Sequence, residues 1–141
     1  MEENRNSIIL IHRRVLLAKI TSGELSVMPH ITHVAFGNGG VTFDGVDDRG
    51  RPIYTEIPPK ETQASLNSEV GRYPIAELSF PVDPPTTARY VTTIPLDDLP
   101  GESISEAALI DVNGDAHAIK TFLPVNKSPG IGLTFTFDDR F

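Results

Sequence analysis

The sequence predicts an α+β domain, with an N-terminal helix and a short second helix beside a mainly antiparallel β-sheet or sandwich. Three observations lead there. Residues 8–20 are crowded with aliphatic side chains and stop shortly before Gly23. The second half of the chain holds five segments in which apolar and polar residues alternate with a period of two. Asn113-Gly114 stands between two of those segments, the strongest short-range sign of a hairpin, because a type I′ turn needs positive φ at both central residues.

Taken in order, Asn6 or Ser7 is placed to cap a helix running to about Ile20, with Gly23 just past its end. Its apolar residues are Ile8, Ile9, Leu10, Ile11, Val15, Leu16, Leu17 and Ile20. At about 100° per residue they spread nearly all round the cylinder, which asks for burial on several sides, as by a second subunit. The alternative is a strand over 7–11; the length of the segment favours helix. Residues 31–36 read as a strand running into Gly37, Gly39 and Gly40. Residues 37–59, rich in Gly, Pro and Asp, read as a long loop. Glu61 to Val70 has helix formers and Gly71 as a stop, and gives the second helix. The alternating segments are YPIAELSFPV, ARYVTTIPL, SISEAALIDV, AHAIKTFL and IGLTFTF.

A chain of 141 residues suits one domain, 1–141. Eleven Gly and twelve Pro favour a turn-rich, β-rich architecture. With no cysteine, disulfides and thiolate metal sites are excluded. The formal charge of −7 and the scattered Lys and Arg argue against nucleic acid as a partner. The first charges are acidic and His12-Arg13-Arg14 breaks the apolar run, so the start does not read as a secretory signal. No apolar stretch approaches the ~20 residues needed to span a bilayer.

The residues that suggest chemistry each have a plainer reading. After Gly40 comes Val41-Thr42-Phe43-Asp44, extended and acidic where a phosphate loop needs a helix or a Lys. The glycines therefore read as a backbone corner needing positive φ. His30 and His33 point to opposite faces of a strand, and His12 and His117 are far apart in sequence, so no metal site is expected. Asp111, Asn113 and Asp115 match the first ligand positions of a Ca²⁺ loop, but Ala116 stands where its glycine belongs and Phe122 where its Glu belongs. Asp97-Asp98 and Asp138-Asp139 read as turn residues, and there is no nucleophile motif. The expectation is a protein that is not an enzyme and carries no cofactor.

Several segments, in their order, resemble the N-terminal domain of bacteriophage tail-collar or tail-fibre proteins. After the apolar helix, ITHVAFGNGG is similar to the family's strand ending in a Gly-rich corner. ETQASLNSEVGRYPI looks like its L-x-N-E-V-x-R-x-P-I stretch. ARYVTTIPLDDLPGESISEAALIDVNGD resembles its strand, I-P corner, I-x-E-x-G-L strand and D-x-x-G hairpin, except that Ala108 replaces the glycine of E-x-G-L. The match covers most of residues 8–125. It implies a structural part of a phage or phage-like tail or baseplate, a collar or fibre-attachment adaptor. It also implies a homotrimer in contact with other tail proteins, made in the bacterial cytoplasm and carried on the particle. The candidate contact residues are Ile11, Val15 and Leu16 on the helix, and Phe135, Phe137 and Phe141 at the end of the chain. A small β-sandwich carbohydrate-binding module is the alternative. A hydrolase with two converging carboxylates is the enzyme reading to be set against both.

Overall fold

A computed structural model of the chain describes residues 7–141. The order is β1 (Ser7–Ile9), α1 (Ile11–Thr21), β2 (Ile31–Gly37), β3 (Val41–Val46), β4 (Pro52–Glu56), β5 (Glu69–Pro74), β6 (Glu77–Ser79), β7 (Thr87–Ile94), β8 (Ser103–Asp111), β9 (Ala116–Asn126) and β10 (Leu133–Arg140). All strand pairs are antiparallel. One sheet runs β1-β9-β8-β2-β5, a second runs β10-β7-β6, and β3-β4 is a separate hairpin.

The alternation in the sequence explains how the two larger sheets meet. Val34 pairs with Leu109 and Phe36 with Ala107, so these side chains share one face of the five-stranded sheet. They pack against Ile94 of β7 and Phe137 of β10 in one cluster, a sheet-on-sheet core. Ala35 and Ala108, one residue along, face the other way and pack with Leu10, Leu66, Ile110 and Ile119. The central strand β8 is therefore buried on both faces, which is why Ile104 to Asp111 is buried without interruption.

The β-rich, antiparallel architecture agrees with the sequence; the second helix does not. Glu61 to Val70 forms turns and the start of β5 instead. The N–H groups of Asn67 and Ser68 bind the Glu106 carboxylate at 2.9 and 2.8 Å. An ionised acceptor fixed by tertiary structure outweighs the modest helix propensity of so short a segment. The N-terminal helix is also shorter than expected. Asn6 lies outside the described residues, and Ser7 sits in β1 rather than at a cap. Leu10 takes the N-cap position with no side-chain cap. The strand reading of 7–11 is thus met in part: β1 pairs with β9, and the helix starts at Ile11. Gly23, at φ +84°, lies past the helix end as expected.

The long loop expected over 37–59 contains the β3–β4 hairpin. Phe43 pairs with Tyr54, and their rings lie 5.9 Å apart. Its Gly and Asp residues mark a bulge and a turn: Gly45 and Gly50 have positive φ, and Asp47 Oδ1 accepts from the N–H groups of Arg49 and Arg51. The Asn113-Gly114 hairpin is present, but not as a type I′ turn. Gly114 has φ +87°, whereas among the described residues Leu99 is the one non-glycine with positive φ. Asp111 organises this turn. Its carbonyl accepts from Gly114 N–H at 2.9 Å, and its Oδ1 accepts from Asn113 and Asp115 N–H. That is an Asx turn, and it accounts for the Asp-x-Asn-x-Asp pattern without calcium.

On the sheet edge, Arg89 and Asp138 face each other across β7 and β10 and make two bonds, of 2.8 and 3.0 Å. The Arg89 side-chain bond holds the Asp138 carboxyl below its ordinary 3.8. A depressed carboxyl contributes stability that is full above its unfolded value and is lost as pH falls through the folded one. Asp138→Asn should therefore flatten the acid limb of the stability curve below about pH 4. At pH 7 it should cost no more than about 1 kcal/mol, because solvent screens the pair. Urea melts at a series of pH values check this; an acid limb of unchanged slope would refute it.

Candidate functional site

A surface helix ordinarily buries an apolar stripe and shows its charges to water. α1 does the reverse. Arg13 is its one buried residue, at 2% exposure, while Ile11, Val15 and Leu17 are exposed, Val15 at 45%. The helix is held down by a polar anchor, with Leu16 and Ile20 half-buried and Ile11, Val15 and Leu17 facing outward.

The register that pairs Ile9 of β1 with Ala118 of β9 brings the first turn of α1 over the β8–β9 hairpin, and Leu10 N–H donates to the His117 carbonyl at 2.9 Å. Arg13 Nε donates to His117 Nδ1 at 3.0 Å, and its NH1 donates to Asp139 Oδ1 at 2.6 Å. A guanidinium has only donors, so His117 Nδ1 is an acceptor and the ring proton sits on Nε2. Nε2 then donates to Asp111 Oδ2 at 2.8 Å. His117, Asp111 and Asp139 are all buried. Burial holds the His117 pKa below its ordinary 6.5, with the Arg13 charge acting in the same direction against the Asp111 bond. Burial by itself pushes Asp111 up. The Asp115 N–H, the His117 bond and the Asn113 N–H outweigh it, and its carboxyl lies below 3.8.

This chain of bonds ties α1, the hairpin and β10 together, and both His117 nitrogens are committed within it. Phe141 lies over Arg13, its ring centroid 5.3 Å from the guanidinium carbon. Beside them is a cavity of about 160 Å³ with Leu17, Met28, Pro29, Tyr90 and Phe141 among its walls.

A third buried carboxylate explains the glycine corner. Glu106 is fully buried and accepts from the N–H groups of Gly39, Asn67 and Ser68 at 3.0, 2.9 and 2.8 Å. The corner does cradle an anion: the protein's own side chain. None of Gly37, Gly39 and Gly40 has positive φ, contrary to the reading of the sequence. They are glycines because a Cβ at Gly37 would strike the Glu106 carboxylate and the Ser68 carbonyl, and one at Gly40 would strike the Ser105 backbone.

The contact residues expected from sequence divide. Ile11, Val15 and Phe141 are exposed, Phe141 at 69%. Leu16 and Phe135 are half-buried, Phe135 inside an aromatic cluster 5.3 Å from Phe36 and 5.4 Å from Phe122. Phe137 is a correction. At 1% exposure it belongs to the core between the sheets, because the strand face shared by Leu133, Phe135 and Phe137 packs toward Val34, Phe36 and Leu109 of the five-stranded sheet. The sequence also passed over Leu17, and Phe43, Val46 and Ile53 on the projecting hairpin, all of which are exposed. His30 lines the same cavity as Arg13, His117 and Asp139, whereas His33 bonds its neighbour Thr32. The potential ligand atoms that converge among the described residues, within 4.8 Å of one another, are on His12, Asp111 and His117. Comparison with protein-family models, curated proteins and solved structures finds no match to this chain.

Proposed function

We propose that this domain is a structural part of a phage or phage-like tail or baseplate, a collar or fibre-attachment adaptor that works through protein–protein contacts and not through catalysis. The observation that carries the reading is the outward aliphatic face of α1, kept rigid by the Arg13 anchor. A helix that spends a buried ion pair on attachment and leaves Ile11, Val15 and Leu17 in water suits a second protein surface. The segments that carry the tail-collar resemblance also support it, since they meet in space. Glu106 of the E-x-G-L-like strand binds the backbone of Gly39 in the glycine corner and of Asn67 in the L-x-N-E-V-like stretch. Arg72 of that stretch donates to the Gly114 carbonyl of the D-x-x-G-like hairpin at 3.2 Å.

The expected solution state is a homotrimer joined through α1, and light scattering on the purified native protein tests it. Val15→Asp places a charge on the outward face without touching the core, and should convert the trimer to monomer while leaving the melting temperature of the protomer within a few degrees. A native monomer, or a trimer untouched by Val15→Asp, would count against this use of the helix. The carbohydrate-binding reading keeps one observation of its own, the Phe43–Tyr54 ring pair on the exposed hairpin. Glycan-array binding abolished by Phe43→Ala would favour it over the assembly reading.

A further inference from the structure

We infer that His12 and Asp111, with the exposed Asp115 carboxylate turning in as a third ligand, form a site for one divalent transition-metal ion, zinc being the closest fit, where α1 meets the β8–β9 hairpin. His12 Nε2 lies 3.8 Å from Asp111 Oδ2 and 3.6 Å from Asp115 Oδ2. Both separations are too long for hydrogen bonds. They are close to the spacing of two ligands on a shared ion: with zinc–nitrogen and zinc–oxygen bonds of roughly 2.0–2.2 Å, neighbouring donors at tetrahedral angles stand about 3.3–3.6 Å apart. His12 Nε2 is shielded from water and has no hydrogen-bond partner. A buried ring nitrogen without a partner is costly unless something else satisfies it.

His117 comes close enough to look like a ligand, yet its bonds place it outside the set. Arg13 holds its Nδ1 as an acceptor, so Nε2 carries a proton and presents no lone pair to a metal. It acts instead as the group that orients a ligand, donating to the same Asp111 oxygen that faces His12. Asp111 is fixed further by two backbone N–H groups on its other oxygen. One rigid carboxylate, one half-exposed imidazole and one exposed, turnable carboxylate make a nitrogen–oxygen set with two negative charges, which a divalent ion neutralises. Water completes the coordination. Such an ion would clamp the first turn of α1 to the hairpin and brace the outward face of the helix.

The test is calorimetric titration of ZnCl₂ into the native full chain after chelator treatment, with Co²⁺ as a spectroscopic substitute. One zinc per chain is expected, with a visible Co²⁺ absorption that zinc displaces and a rise in melting temperature on saturation. His12→Ala and Asp115→Asn, both at partly or largely exposed side chains, should each weaken binding at least about tenfold and remove the thermal shift. His30→Ala should leave both unchanged. Absence of binding by the native protein would overturn the inference. So would His12→Ala or Asp115→Asn variants that bind as well as the native chain, or binding lost on His30→Ala.

Discussion

Replacing Arg13 with Ala is expected to cost about 3–5 kcal/mol, the range for removing one partner of a buried ion pair. For a domain of this size that lowers the melting temperature by roughly 10–15 °C. The loss is large because two buried groups are abandoned together. Asp139 loses its partner on Oδ1 while its Oδ2 already has none, and His117 loses the donor to Nδ1 that fixes its tautomer. The pair Arg13→Met with Asp139→Asn should recover a good part of the loss, because it removes the stranded charge and keeps the aliphatic volume. Urea unfolding of the two variants measures both quantities. A cost below about 1 kcal/mol for Arg13→Ala would show that α1 is held by its half-buried aliphatic residues and not by the anchor.

Glu106→Ala is expected to be at least as damaging. Three backbone N–H groups, on half-buried Gly39 and exposed Asn67 and Ser68, lose a charged acceptor at once, and a hydrogen bond to a charged group contributes about 1.5–3 kcal/mol. The damage should be local in origin. Amide exchange at Gly39, Asn67 and Ser68 should accelerate before that at the β8–β9 centre, since those donors face the carboxylate. Glu106→Gln keeps one acceptor but turns an NH₂ toward N–H donors, and should fall between the wild type and Ala. Gly40→Ala attacks the same junction from the other side, by collision with the Ser105 backbone. Native stability in Glu106→Ala would mean that the corner closes without its internal anion.

Glu106 shows where the sequence is legible and where it is not. Alternation located β7 to β10 because a half-buried strand must show a period of two, and Asn113-Gly114 located their hairpin because the backbone there needs a glycine. The glycine corner was legible as a corner, though not in its cause. Positive φ and close approach both call for glycine, and only the position of Glu106, opposite Gly37 across β2 and β8, separates them. The helix expected over Glu61 to Val70 failed for the same reason. Its backbone donors go to a carboxylate some forty positions away, and nothing within the segment announces it.

The sequence by itself determined an antiparallel β-rich chain with an apolar N-terminal helix, a net charge of −7 and the absence of thiolate ligands. These are properties of local pattern, period and charge. The tertiary structure alone decided that Arg13 is the fully buried residue of the helix, that Phe137 is core, and that His12, Asp111 and His117 meet. The meeting of α1 with the hairpin depends on one register, Ile9 against Ala118, which joins residues more than a hundred positions apart. A pairing at that distance is set by the free energy of burying the whole sheet, and no short stretch of sequence carries it.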